Sequence, residues 1–181
     1  MDKGQFEDAE EVFAICGASM LIRAQAFQDV RYQDEFFDHD FFAFEDDVDL
    51  AFRMHYMGWN AWYEPKAVAY HCRGRFGQEN RRVWSRLFHS TKKTRASRYY
   101  SVRNQWLFLL KNLDVISLIV LFPRLFLTEF VRCLRLFFFD WANIRAIFDT
   151  IRLIPRILAK RRSIQQTKKV RGKYIRKQFA H

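Results

Sequence analysis

Residues that constrain a backbone are scarce in this chain. Its 181 residues include 3 Cys, 3 Pro and 6 Gly. Cys16, Cys72 and Cys133 are odd in number and far apart, with no CxxC or CxxH pair. They support neither a disulfide framework nor a zinc site, and a reducing, cytosolic setting is expected. The low Gly and Pro content, with 50% hydrophobic residues, excludes a disordered chain. No uncharged apolar run is long enough to span a bilayer. Val115–Pro123 is closed off by Asp114 and Arg124, whereas a spanning helix needs about 20 residues. The N-terminus carries Asp2, Glu7, Asp8, Glu10 and Glu11 and lacks the basic and apolar regions of a signal peptide. Acids are also nearly missing from the second half. Residues 80–181 hold 4 Asp and Glu against 24 Lys and Arg, a net of +20; residues 1–79 hold 16 against 7, a net of −9. An acidic site region joined to a basic, surface-seeking one is expected. Anionic lipid, a phosphate-bearing substrate or nucleic acid could each partner the basic half.

What is abundant is aromatic side chain, 18% of residues with 20 Phe. The most informative stretch is Phe41-Phe42-Ala43-Phe44-Glu45-Asp46-Asp47-Val48-Asp49-Leu50. Carboxylates this close repel one another, and chains accept that cost where a metal, a cation or a reacting proton needs them. A buried strand is expected over Val12–Arg23, with Gly17-Ala18 allowing close approach. A short helix near Ala24–Val30 should follow, then a loop over Asp34–Phe44. A helix should run from about Asp46 to Met57, with acids in its first turn and Gly58 after its end. Short strands are expected at Trp59–Tyr63 and Ala67–His71. Gly74–Ser97 reads as a loop over the site or a linker, and helix from about Arg98 to Leu158.

Placed on one helix, residues 111–138 gather Lys111, Asp114, Ser117, Arg124, Thr128, Glu129, Arg132 and Arg135 on an arc of about 140°. The wide remaining face is Phe- and Leu-rich, and Pro123 should kink or split the helix. Such a helix either lies in a membrane interface, aided by the basic residues from Lys160 to Lys177, or packs on the protein's own core. The wide apolar faces, and the lack of any nucleic-acid motif, argue against nucleic acid.

Several of these segments, in order, resemble the second half of the catalytic domain of family 2 glycosyltransferases, especially rhamnosyltransferase-like enzymes of cell-surface polysaccharide synthesis. They are Gly17-Ala18-Ser19-Met20-Leu21-Ile22-Arg23, Gln33-Asp34-Glu35-Phe36-Phe37, Asp46-Asp47-Val48-Asp49-Leu50-Ala51-Phe52-Arg53, Gly58, and Pro65-Lys66-Ala67-Val68-Ala69-Tyr70-His71. Tyr99-Tyr100-Ser101-Val102-Arg103-Asn104 is similar to the family's Tyr-Tyr-x-x-Arg-Asn junction into C-terminal helices. Two departures stand out. Val30-Arg31-Tyr32-Gln33 replaces the usual glycine pair, and Asp46 stands where the acidic motif begins with Glu, unless Glu45 substitutes. The donor-binding half of the family, with its metal-holding Asp-x-Asp, precedes these motifs and is expected to be missing here, or to be supplied by a separate chain.

The resemblance implies an α/β fold: a partial GT-A domain over residues 1–97, amphipathic membrane-associated helices over 98–159 and a basic tail over 160–181. It implies Asp47 as the base that takes a proton from an acceptor hydroxyl in an inverting displacement. Asp46 and Asp49 complete the acceptor-side acidic motif. His71 would be one ligand of a Mg²⁺ or Mn²⁺ ion at the leaving diphosphate. Gly17, Ala18 and Trp59 are substrate-binding candidates, although Trp59 and Trp62 more often fill a core. Arg53 is expected to anchor the helix to the acidic loop. The implied partners are a nucleotide-diphospho-sugar donor and a lipid-linked or glycan acceptor, at the cytoplasmic face of a membrane. Arg81, Arg82, Arg86, Lys92, Lys93, Arg95 and Arg98 suit either a lipid-diphosphate acceptor or a solvated basic loop. The competing reading is a non-catalytic membrane-binding module. A prenyltransferase-like motif fits less well, because the acids are not spaced Asp-Asp-x-x-Asp.

Overall fold

The computed structural model describes residues 6–70, 94–139, 144–170 and 172–177. The fold is mixed α/β and mostly helical, with one small sheet. Strand β1 (Glu10–Val12) is followed by helices α1 (Ala24–Val30) and α2 (Asp46–Tyr56) and strand β2 (Ala61–Tyr63). Four helices complete the chain: α3 (Arg95–Asn112), α4 (Val115–Phe139), α5 (Arg145–Thr167) and α6 (Gly172–Lys177). The strands pair antiparallel, Glu10 opposite Tyr63 and Val12 opposite Ala61.

Helix α2 forms for local reasons. Asp46, Asp47 and Asp49 occupy its first turn and Arg53 its last, which complements the helix dipole at both ends. It stops at Gly58, whose φ of +88° suits glycine. The Gly58 N–H donates to the His55 carbonyl and the Trp59 N–H to the Met54 carbonyl, a Schellman closure.

The main core joins α2, α3, α5 and α6 through Phe52, Tyr56, Leu107, Phe108, Ile157 and Ile175. Helix α3 packs chiefly along α5. Tyr56 ties the ends together: its hydroxyl donates to the Asn112 carbonyl at 2.7 Å, and its own carbonyl accepts the N–H groups of Lys169 and Val170.

Three expected elements come out differently. The strand expected over Val12–Arg23 ends at Val12. Phe13 turns inward to stack on His55, Cys16 and Ser19 form a turn, and Leu21 is 98% exposed. Residues 67–70 form no strand, and His71 lies outside the described residues, as does most of Gly74–Ser97. The single helix expected over 111–138 is two. Chain direction changes at Leu113, and Asp114 caps α4 by accepting the Ser117 N–H at 3.2 Å. Lys111 therefore belongs to α3, where it is buried, and leaves the expected polar arc. Pro123 stands inside α4, which continues through it. The position expected to open the basic tail, Lys160, lies within α5 and is buried.

Candidate functional site

Three of the resemblance motifs meet around the start of α2. Asp47 lies in its first turn, and its Oδ2 accepts the backbone N–H of Gly17 at 3.0 Å, across 30 residues of sequence. Its Oδ1 accepts the Val48 N–H at 2.9 Å. A Cβ added at Gly17 would stand 3.5 Å from the Asp47 Cβ, so the Gly17-Ala18 turn rests directly against this carboxylate. Gly17 and Ala18 are both exposed, and Asp47 is partly so. Burial raises the Asp46 carboxyl above its ordinary value, and the nearby charges of Asp47 and Asp49 add to this. One surface thus holds two adjacent carboxylates in different environments.

The backbone entering this site is strained. Phe44 and Glu45 both take left-handed conformations, with φ of 68° and 65°. Such residues cost about 1–3 kcal/mol each and persist only where their surroundings fix them. The fixing groups come from α3. The fully buried Asn104 amide donates to the carbonyls of Ala43 at 2.6 Å and Phe44 at 3.1 Å. Arg103 donates to the Asp40 carbonyl and lies over the ring of Tyr100, 5.0 Å from its centroid. Tyr99 donates to Asp149 on α5 at 2.5 Å, and burial together with that carboxylate raises its phenol pKa. The Tyr-Tyr-x-x-Arg-Asn segment, read from sequence only as a junction, clamps the loop that presents Asp46 and Asp47.

Asp49 is separated from its neighbours in both place and role. It is fully buried and accepts from Arg53 at 3.0 Å, Lys111 at 2.8 Å and Asn112 at 2.8 Å. Arg53 is the expected anchor: it also donates to the Val30 and Phe36 carbonyls at 2.7 and 2.6 Å. Trp59 is half-buried, and its indole N–H donates to Asp29 of α1 at 3.0 Å, which ties it to α1. Trp62 is exposed.

The group that sequence reasoning missed is an ionic network beneath the loop. Lys160, 2% exposed, reaches Glu35, Asp38 and Asp40 at 2.5–2.8 Å. Lys111, equally buried, reaches Asp38 at 2.5 Å, and Arg156 reaches Glu35 and Asp40. Burial alone would raise Asp38, but Lys111 and Lys160 overcome it and hold the carboxyl well below its usual range. Burial likewise opposes the charge of Lys160, and its hydrogen bonds to Asp38, Asp40 and Glu35 prevail and raise its pKa. The available signal was the opposite charge of the two halves, read as two surfaces rather than one contact.

A cleft lined by Asp29, Tyr32, Asp38, Arg53, Lys111 and Lys160 opens onto this network, away from Asp46, Asp47 and Gly17. Its cations are already paired with carboxylates, so it does not offer an anion site. Among the described residues no three His, Cys, Asp or Glu side chains gather as a metal-holding group. Asp49 is committed to Arg53 and Lys111 and does not fit that task. Asp47 remains a partly exposed carboxylate beside the exposed Gly17-Ala18 turn. Comparison of the chain with protein-family models, with curated proteins and with solved structures returns no match.

Proposed function

We propose that this chain is the acceptor-side part of a GT-A-type, family 2 glycosyltransferase. It would transfer a sugar, rhamnose being the candidate, from a nucleotide-diphospho-sugar to a lipid-linked or glycan acceptor. One observation carries the reading: three of the resemblance motifs, the Gly17 segment, the acidic motif and the Tyr-Tyr-x-x-Arg-Asn segment, lie together at the start of α2. Gly17 bonds to Asp47, and Arg103 and Asn104 hold the strained loop that delivers it.

On this reading Asp47 accepts the proton of the acceptor hydroxyl as that oxygen attacks the anomeric carbon, and the nucleoside diphosphate leaves. The Gly17 N–H and the first turn of α2 fix the position of the Asp47 carboxylate for that transfer. The exposed Gly17-Ala18 turn forms one wall for the acceptor. The donor-binding half, on the same chain or another, would supply the nucleotide site. A divalent ion there would neutralise the departing diphosphate, with His71 as a candidate ligand.

The test is sugar transfer, read as nucleoside diphosphate release, with the donor-binding half supplied. Asp47→Asn should lower transfer by at least about 100-fold, the scale of a lost general base, with the fold unchanged by circular dichroism. Transfer at the wild-type rate in Asp47→Asn would overturn the assignment.

A further inference from the structure

Helix α4 is built inside out. Ser117 on one side is 4% exposed, and Leu118 and Leu125 pack against the core. On another side Ile119, Phe122, Phe126 and Phe130 are 67, 61, 57 and 51% exposed. Their spacing of three to four residues places them on one face at about 100° per residue. Phe122, Phe126 and Phe130 form a continuous ladder, with centroids 5.7 and 6.0 Å apart. By the same periodicity Arg124, Arg132 and Arg135 are spaced onto the arc of Ser117, and Glu129 borders the Phe arc beside Phe122. A contiguous exposed apolar face of this kind marks an interaction surface.

We infer that this face of α4 seats in the interfacial layer of an anionic lipid bilayer, with the helix lying in the membrane plane. Among the described residues no helix is long and apolar enough to cross a membrane, so the face would lie on the bilayer rather than span it. Charge identifies the occupant. The chain carries a net +11, and the exposed face of α5 alternates cations with apolar side chains: Arg145, Phe148, Ile151 and Arg152 are all exposed. Anionic headgroups complement such a surface, and acyl chains complement the Phe ladder. A second copy of the chain would bring together two molecules of like net charge. This inference does not depend on the glycosyltransferase reading.

The experiment is sedimentation of the full chain with vesicles of phosphatidylcholine alone, and with vesicles containing phosphatidylglycerol. Binding should favour the anionic vesicles and weaken as salt rises. Phe122→Glu with Phe126→Glu should weaken binding by about tenfold or more, since two large apolar side chains lose their place in the bilayer. Phe122→Leu with Phe126→Leu should bind nearly as the wild type does. A separate readout leaves the face apolar: Phe126→Trp should add fluorescence that brominated lipid quenches. The inference fails if anionic vesicles do not sediment the chain, or if the paired Glu substitutions leave binding unchanged. It also fails if Trp at 126 stays unquenched, or if light scattering shows a dimer that the Glu pair dissolves.

Discussion

Asp46 and Asp47 are neighbours with different energetic standing. Asp47 has two backbone N–H partners, whereas burial and nearby acids disfavour the charge on Asp46. A carboxyl whose folded pKa is raised contributes stability below its unfolded value, and that contribution is lost as pH rises through the folded value. Asp46 ionised at neutral pH therefore costs the fold something. Asp46→Asn should raise the melting temperature at pH 7, and the gain should vanish in acid below the ordinary value of 3.8. Thermal melts followed by circular dichroism at both pH values check this; an unchanged or lower melting temperature at pH 7 would contradict it. A site that holds an unfavourable charge has the character expected of one kept for function rather than stability.

At the scale of elements, the clamp from α3 onto the loop before α2 is the decisive contact. Asn104 is fully buried and satisfies two carbonyls beside two left-handed residues. Asn104→Ala should cost about 1–3 kcal/mol, the range for leaving buried polar groups unpaired. Urea unfolding measures this, and limited proteolysis should show earlier cleavage within 41–45 than in wild type. Loss of stability without that new cleavage would mean the residue supports the core in general, not the loop. The elements themselves were legible to different degrees. Helix α2 is written in local sequence, because its first-turn acids and Gly58 act within a few residues, whereas α1 has neither a side-chain cap nor first-turn acids. The apolar run after Val12 reads as a strand, yet a strand forms only against a partner, and β2 reaches only as far as Val12. The break between α3 and α4 was hidden by a hydrophobic pattern that continues across Asp114, a residue that caps a new helix.

Across the whole molecule, the charge split between the two halves is partly an internal contact. Glu35, Asp38, Asp40 and Asp49 meet Lys111, Arg156 and Lys160 across 62 to 125 residues of chain. Each ion was taken from water at a cost, and the network stands because every member has partners. Lys160→Met should destabilise the fold by about 3–5 kcal/mol, because three carboxylates lose their shared cation. The pH profile follows from the same groups. Asp38 is depressed, so its contribution is present above 3.8 and is lost as pH falls toward its folded value. Lys160 is raised, so its contribution is present below 10.5 and is lost as pH rises through its folded value. His55 is depressed by burial against the opposing pull of the Phe13 carbonyl, so stability also declines as pH falls below 6.5. Wild-type melting temperature should be flat from about pH 7 to 10 and fall on either side. A Lys160→Met variant as stable as wild type at pH 7 would remove the network from its central place.

Sequence alone determined the start and stop of α2, the grouping of Asp46 and Asp47 in its first turn, and the apolar breadth of the segment that becomes α4. Each of these depends on residues a turn or two apart, where spacing fixes geometry. Tertiary structure alone decided which charges face water. Asp49, Lys111 and Lys160 look in sequence like members of solvated acidic or basic runs, and folding buries all three. It also decided that the Phe face of α4 points outward while Ser117 points in. Burial depends on what lies opposite a side chain, and here the opposing groups come from the other half of the chain.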